Sequence, residues 1–102
     1  MNRITNNVTL VCYDISNDKL RRKIDNCLKD YGIRLQYSVF LCRIEQTGVE
    51  RLRRKLANIH SQFEKEYNPR DSLIFVEHIP ECQIEFFFDK GIKLSNQEYK
   101  IF

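Results

Sequence analysis

Asp14 stands at the end of a short apolar run, residues 8–13, directly after Tyr13. A carboxylate there is costly unless it meets a cation, a helix N-terminus or water. Two readings of the position are open. Asp14 can cap the loop into the following helix, or it can offer hard oxygen to a divalent ion such as Mg2+. One carboxylate makes a weak metal site, whereas a two-fold dimer would bring two copies of Asp14 together.

The second set of candidates is cationic. Lys19, Arg21, Arg22 and Lys23 cluster shortly after Asp14, Lys29 lies further on, and Arg34 follows. Near a helix N-terminus such a group favours phosphate oxygens. A second run, Arg51, Arg53, Arg54 and Lys55, lies on another helical stretch. Runs of charge on helices also form as solvated faces, but two basic helices on one small chain point towards nucleic acid.

Aromatic residues form the third set. Phe40 and Tyr37 flank Ser38 on opposite faces of one strand pattern, so at least one is expected at the surface. The Gly-aromatic consensus of an RNA-recognition motif is absent. So are a Gly-rich phosphate loop, a GxSxG elbow and an HExxH pair. Cys12, Cys27, Cys42 and Cys82 make no CxxC pair. They read as small reduced hydrophobes of a core. His60 and His78 have no companion ligands and read as structural or surface residues.

The elements that must position these groups alternate between two periods. Residues 8–13 read as a buried first strand. Ser16, Asn17 and Asp18 are all suitable helix caps. Behind them Leu20, Ile24, Cys27, Leu28 and Tyr31 fall on one helical face, and Gly32 can end that helix in a left-handed conformation. Residues 34–43 alternate as a strand too long to stay single, with a break expected near Ser38. Thr47 and Glu50 match a capping box. The helix after them carries Val49, Leu52, Leu56, Ile59 and Phe63 on one face. Residues 68–71 form a turn, residues 73–76 begin another strand, and residues 84–88 and 99–102 read as further strands. The order predicts an α+β fold, a ferredoxin-like βαββαβ sandwich with one or two extra C-terminal strands.

Composition bounds the rest. At 102 residues the chain is expected to be a single domain. Hydrophobic residues make up 42% and charged residues 30%, which is globular rather than disordered. No stretch approaches the roughly 18 apolar residues that cross a bilayer, and residues 1–7 are polar. A cytoplasmic protein without a membrane partner is therefore expected. The net charge of +3 is unevenly spread, with 12 basic and 6 acidic residues in 1–55 but 5 and 8 in 56–102.

Several segments together are more specific than any one. Tyr13-Asp14-Ile15-Ser16 precedes Lys19-Leu20-Arg21-Arg22-Lys23, then Leu28-Lys29-Asp30-Tyr31-Gly32 and Arg34-Leu35-Gln36-Tyr37-Ser38-Val39-Phe40. Asp71-Ser72-Leu73-Ile74-Phe75 follows. At these distances in so short a chain, the combination resembles the small CRISPR-associated Cas2 family. The resemblance is densest over residues 13–40.

The resemblance implies a ferredoxin-like homodimer in which the region 80–102 adds a strand to the partner's sheet. It implies a place in CRISPR adaptation, bridging dimers of the Cas1 integrase and holding prespacer DNA. It also implies an endonuclease dependent on Mg2+ (or Mn2+) and acting on single-stranded RNA or double-stranded DNA. Asp14 would hold the metal, with Tyr13 beside it at the catalytic centre. Arg21, Arg22, Lys23 and Arg34 would contact nucleic acid, and Ser38 and Phe40 would support them. Two positions depart from the family pattern. Lys23 stands where Arg is common, which keeps the charge and loses the planar fork, and Leu41 stands where an acidic residue is common. A scaffold role without catalysis is a competing reading, and a VapD-type toxin ribonuclease of the same fold is the alternative.

Overall fold

The computed structural model describes residues 7–66 and 68–87. Strand β1 (Asn7–Asp14) leads into helix α1 (Asp18–Lys29), strands β2 (Ile33–Gln36) and β3 (Val39–Cys42), helix α2 (Gln46–Gln62) and strand β4 (Ser72–Pro80). A 3-10 turn, Glu81–Gln83, follows. The sheet order is β2-β3-β1-β4 with every neighbour antiparallel. This is the expected ferredoxin-like arrangement. The break expected near Ser38 is a turn at Tyr37 and Ser38 that divides β2 from β3.

Asn17 caps α1, its side chain accepting the Leu20 N–H at 2.8 Å. Leu20, Ile24 and Leu28 are buried as the spacing required. The other end differs from expectation. Asp30 closes the helix with a right-handed backbone, and the Gly32 N–H donates to the Leu28 carbonyl at 3.0 Å. Gly32 is needed for close approach rather than for a left-handed turn. A Cβ there would lie 2.3 Å from the Leu41 carbonyl oxygen and 2.8 Å from the Cys42 sulfur.

The capping box does not form. The Val49 N–H donates to the Glu45 carbonyl at 3.0 Å, so Glu45 is the cap residue and Thr47 already lies inside the first turn. Glu50 instead accepts from the Gln46 side chain at 2.8 Å. The apolar face of α2 is as expected, with Val49, Leu52 and Leu56 buried and Phe63 packed at its end.

The sheet has two differently filled faces. Both helices cover one, sealing Val11, Tyr13, Leu20, Leu28, Phe40 and Leu52. On the other, Val8, Leu35 and Leu41 form a smaller cluster, against which Ile79, Ile84 and Phe86 pack. A bulge lets β4 serve both faces. Val8 pairs with Ile79 and Leu10 with Val76, so one residue of β1 opposes Glu77 and His78. His78 takes φ 62°, a left-handed backbone unusual for a side-chain-bearing residue. The extra residue leaves Glu77 paired with Arg53 of α2 and turns Ile79 to the opposite cluster.

The strand expected over 84–88 is not formed across residues 84–87, which are irregular. Pro80 lacks the N–H that would extend the ladder, and the Arg43 side chain holds the following turn through Glu81, with Nε donating to Oε1 at 2.7 Å. Ile84 and Phe86 then contribute side chains, not backbone pairing. The strand expected over 99–102 lies outside the described residues.

The cysteines are all free. Cys42 is buried, and burial pushes its thiol up to about 12. Cys12 and Cys27 are half-buried. Cys82 departs from the expected core role and is exposed on the 3-10 turn. His60 and His78 are exposed. Among the described residues no helix is long and apolar enough to cross a membrane.

Candidate nucleic-acid interface at the end of the first strand

Tyr13 and Asp14 are neighbours on β1, and alternation along a strand sends them to opposite faces. Tyr13 goes under the helices and is 5% exposed. Asp14 is exposed, and among the described residues its carboxylate has no hydrogen bond or ion pair.

The buried neighbour is tightly held. The Tyr13 N–H donates to the Ser38 carbonyl at 3.1 Å, and its ring stacks on Phe40 with centroids 6.4 Å apart. Its hydroxyl donates to Asp25 Oδ1. Burial, reinforced by the Asp25 carboxylate, holds this phenol well above its ordinary pKa. Tyr13 is therefore a committed hydrogen-bond donor at neutral pH.

Asp25 is the centre of a wider arrangement. Its second oxygen pairs with Arg34 Nη2 at 3.1 Å. Arg34 also donates through Nη1 to the Tyr37 carbonyl and lies 4.9 Å over the Phe40 ring. Arg21, one turn before Asp25 on α1, donates to the Ile15 carbonyl at 2.9 Å and pairs with Asp18. Its guanidinium sits 5.8 Å over the exposed Tyr37 ring. The backbone is thus clamped on both sides of Asp14, at Tyr13 and at Ile15. A further tie comes from buried Asp71, which accepts from the Ser16 N–H at 3.0 Å, the Ser16 hydroxyl at 3.1 Å and the Asn68 N–H at 3.1 Å.

The structure therefore brings together Tyr13, Arg21, Arg34, Ser38 and Phe40. Ser38 takes part through its carbonyl. Arg22 and Lys23 stand apart from this network, exposed on α1 with Lys19 and Lys29. On α2, Arg51 and Arg54 are exposed, while Arg53 turns inward over Phe75 at 4.9 Å and onto Glu77. Sequence reasoning missed Asp25 and Asp71. Asp25 left a faint signal, an acidic residue one turn after Arg21 and adjacent to the buried Ile24. Asp71 shows in the sequence only as part of a turn and of the segment 71–75, with nothing to mark it as a hydrogen-bonding centre.

A model of the family described as "CRISPR associated protein Cas2" matches residues 7–83. The chain belongs to the Cas2 family. A Cas2 of Desulforudis audaxviator, named a CRISPR-associated endoribonuclease, is 34% identical over 88 residues, covering 85% of this chain and 74% of that one. A Synechocystis protein named likewise is 36% identical over 55 residues, covering 54% and 60%. A chain in a partial Cas6-RT-Cas1–Cas2 complex superposes with a TM-score of 0.60 at 27% identity, covering 76% of this chain and 99% of that chain. The chain spans 38 to 60% of the length of three of the curated relatives.

For a Cas2-family chain the question of a metal turns on Asp14. Among the described residues no group of three or more His, Cys, Asp or Glu could hold an ion. Asp14 is a hard oxygen donor that has no partner among the described residues, and that donor chemistry suits Mg2+ or Mn2+.

Proposed function

We propose that this chain works as a homodimer in CRISPR adaptation, holding prespacer DNA against Cas1, and that it hydrolyses phosphodiesters of RNA or DNA at a Mg2+ site built from two copies of Asp14. The observation that carries this reading is the exposed, unpartnered Asp14 carboxylate, bracketed by a clamped backbone and flanked by a cationic helix. A divalent ion bound there would supply charge neutralisation at the scissile phosphate and an acidified water. The chain's own residues do the rest. Arg34 and Arg21 hold the strand end in place, and exposed Arg22 and Lys23 offer sequence-independent contact to the phosphate backbone. Tyr13, buried and locked as a donor to Asp25, positions the strand rather than meeting substrate.

The dimer is supported by the sheet face away from the helices. Ile74 is 54% exposed and Val76 39%, two residues apart on one face of β4. Association with Cas1 is supported by the neighbour seen in a complex that names Cas1. Family membership, rather than fold, sets aside the VapD-type alternative.

Asp14→Asn separates the two roles. Metal-dependent cleavage of single-stranded RNA and double-stranded DNA should fall at least 100-fold (roughly the scale of losing a metal-ion centre). DNA binding and spacer acquisition should persist. Reversing the charge of Arg22 and Lys23 should do the opposite and weaken binding. Undiminished cleavage by the Asn variant would remove Asp14 from the chemistry and leave the scaffold role.

A further inference from the structure

We propose that Asp25 is a positioning residue that presents Arg34 to a phosphate. The assignment rests on the proposed contact of this surface with nucleic acid, and it concerns a residue to which that reading gave no role. Arg34 is fixed from three directions. Asp25 Oδ2 takes one edge of the guanidinium at 3.1 Å, the Tyr37 carbonyl takes Nη1, and the Phe40 ring lies under its face at 4.9 Å. A guanidinium carries five N–H donors, and these contacts leave others available on a side chain that is 34% exposed. An arginine held in this way does not have to give up its rotamer freedom when a phosphate arrives.

Asp25 joins the buried and the exposed parts of the arrangement, because its carboxylate meets both the Tyr13 hydroxyl and the Arg34 guanidinium. Its carboxylate is 18% exposed and shared between the phenol and the guanidinium. Helix α1 supplies the rigidity, since Ile24 and Leu28 on the same helix are buried.

The test is a double-mutant cycle read by binding, not cleavage. Asp25→Asn keeps an acceptor for the Tyr13 hydroxyl and removes the charge facing Arg34. It should weaken binding of a labelled double-stranded DNA oligonucleotide roughly tenfold, and change it less than about twofold on an Arg34→Ala background. Thermal unfolding of each variant establishes that it is folded. A second measurement needs no nucleic acid. The side-chain N–H signals of Arg34 in 15N NMR should be resolved in the unmodified protein and averaged in Asp25→Asn. Equal losses on both backgrounds would assign Asp25 a purely structural role and overturn the proposal. Tighter binding by Asp25→Asn would overturn it too, by making the carboxylate a competitor of phosphate, and so would averaged Arg34 signals in the unmodified protein. Intact binding without metal-dependent cleavage would remove the nuclease reading and leave Asp25 supported, whereas an unmodified protein that binds no oligonucleotide overturns both.

Discussion

The two faces of the sheet are built to different degrees of completion. Under the helices, Leu20, Leu28, Phe40 and Leu52 are almost fully buried, and the charges that enter that layer are matched: Asp25 with Arg34, Glu77 with Arg53. The opposite face has three buried members, with Ile84 and Phe86 laid over part of it and Ile74 and Val76 left open. One face is a finished core that fixes polar groups at its margin. The other, among the described residues, leaves apolar side chains exposed, and exposed apolar area of that kind marks association sites.

The comparison is most easily broken by paired truncations. Leu52→Ala should cost about 2–5 kcal/mol in urea unfolding, the range for a buried leucine. Ile74→Ala should cost less than about 0.5 kcal/mol at low protein concentration. A large, concentration-dependent cost at Ile74 would show that a second copy covers this face.

Asp71 sharpens the contrast from the loop end. Its burial alone would raise the carboxyl pKa, but hydrogen bonds from the Asn68 N–H, the Ser16 N–H and the Ser16 hydroxyl outweigh that and hold it below the ordinary value. A depressed folded-state pKa stabilises the fold above the unfolded value, near 3.9, and that contribution fades as pH falls through the folded value. Asp71→Asn should therefore lower Tm at pH 7 and leave it close to that of the unmodified protein well below pH 4 (about one unit or more under the model carboxylate). Thermal melts across that window provide the check. Coincident curves at every pH would mean that the amide replaces the carboxylate without loss.

A small effect of the opposite sign is expected at the bulge that divides β4 between the faces. His78→Gly relieves a left-handed backbone and should stabilise by a few tenths to about 1 kcal/mol in the same urea measurement. A loss instead would mean that the exposed imidazole makes a contact worth more than the strain.

Much of this was legible in the residues, because local rules act over short distances. Periodicity located both helices and the break near Ser38, and residue type offered Ser16, Asn17 and Asp18 as caps, of which the fold uses Asn17. Failures occurred where a distant neighbour overrode a local preference. Gly32 suits a left-handed cap, yet it is required by the Leu41 carbonyl, nine residues on and one strand away. Thr47 and Glu50 have the spacing of a capping box, yet the helix starts earlier, where Glu45 accepts the first bond. Residues 84–87 have strand composition, yet the chain follows Pro80 and the Arg43–Glu81 pair away from the ladder.

The same division runs through the site. Asp14, the basic helix and the family resemblance are properties of the sequence by itself, since residue type and spacing along one strand and one helix are enough to state them. The partnership of Tyr13, Asp25 and Arg34 belongs to the tertiary structure alone. It joins a strand, a helix and a second strand, and no spacing rule reports which carboxylate on a helix will lie over which tyrosine in a sheet. The fold also decided that adjacent Tyr13 and Asp14 part company, one sealed and one open, because a strand that faces a core on one side must turn every second residue away from it.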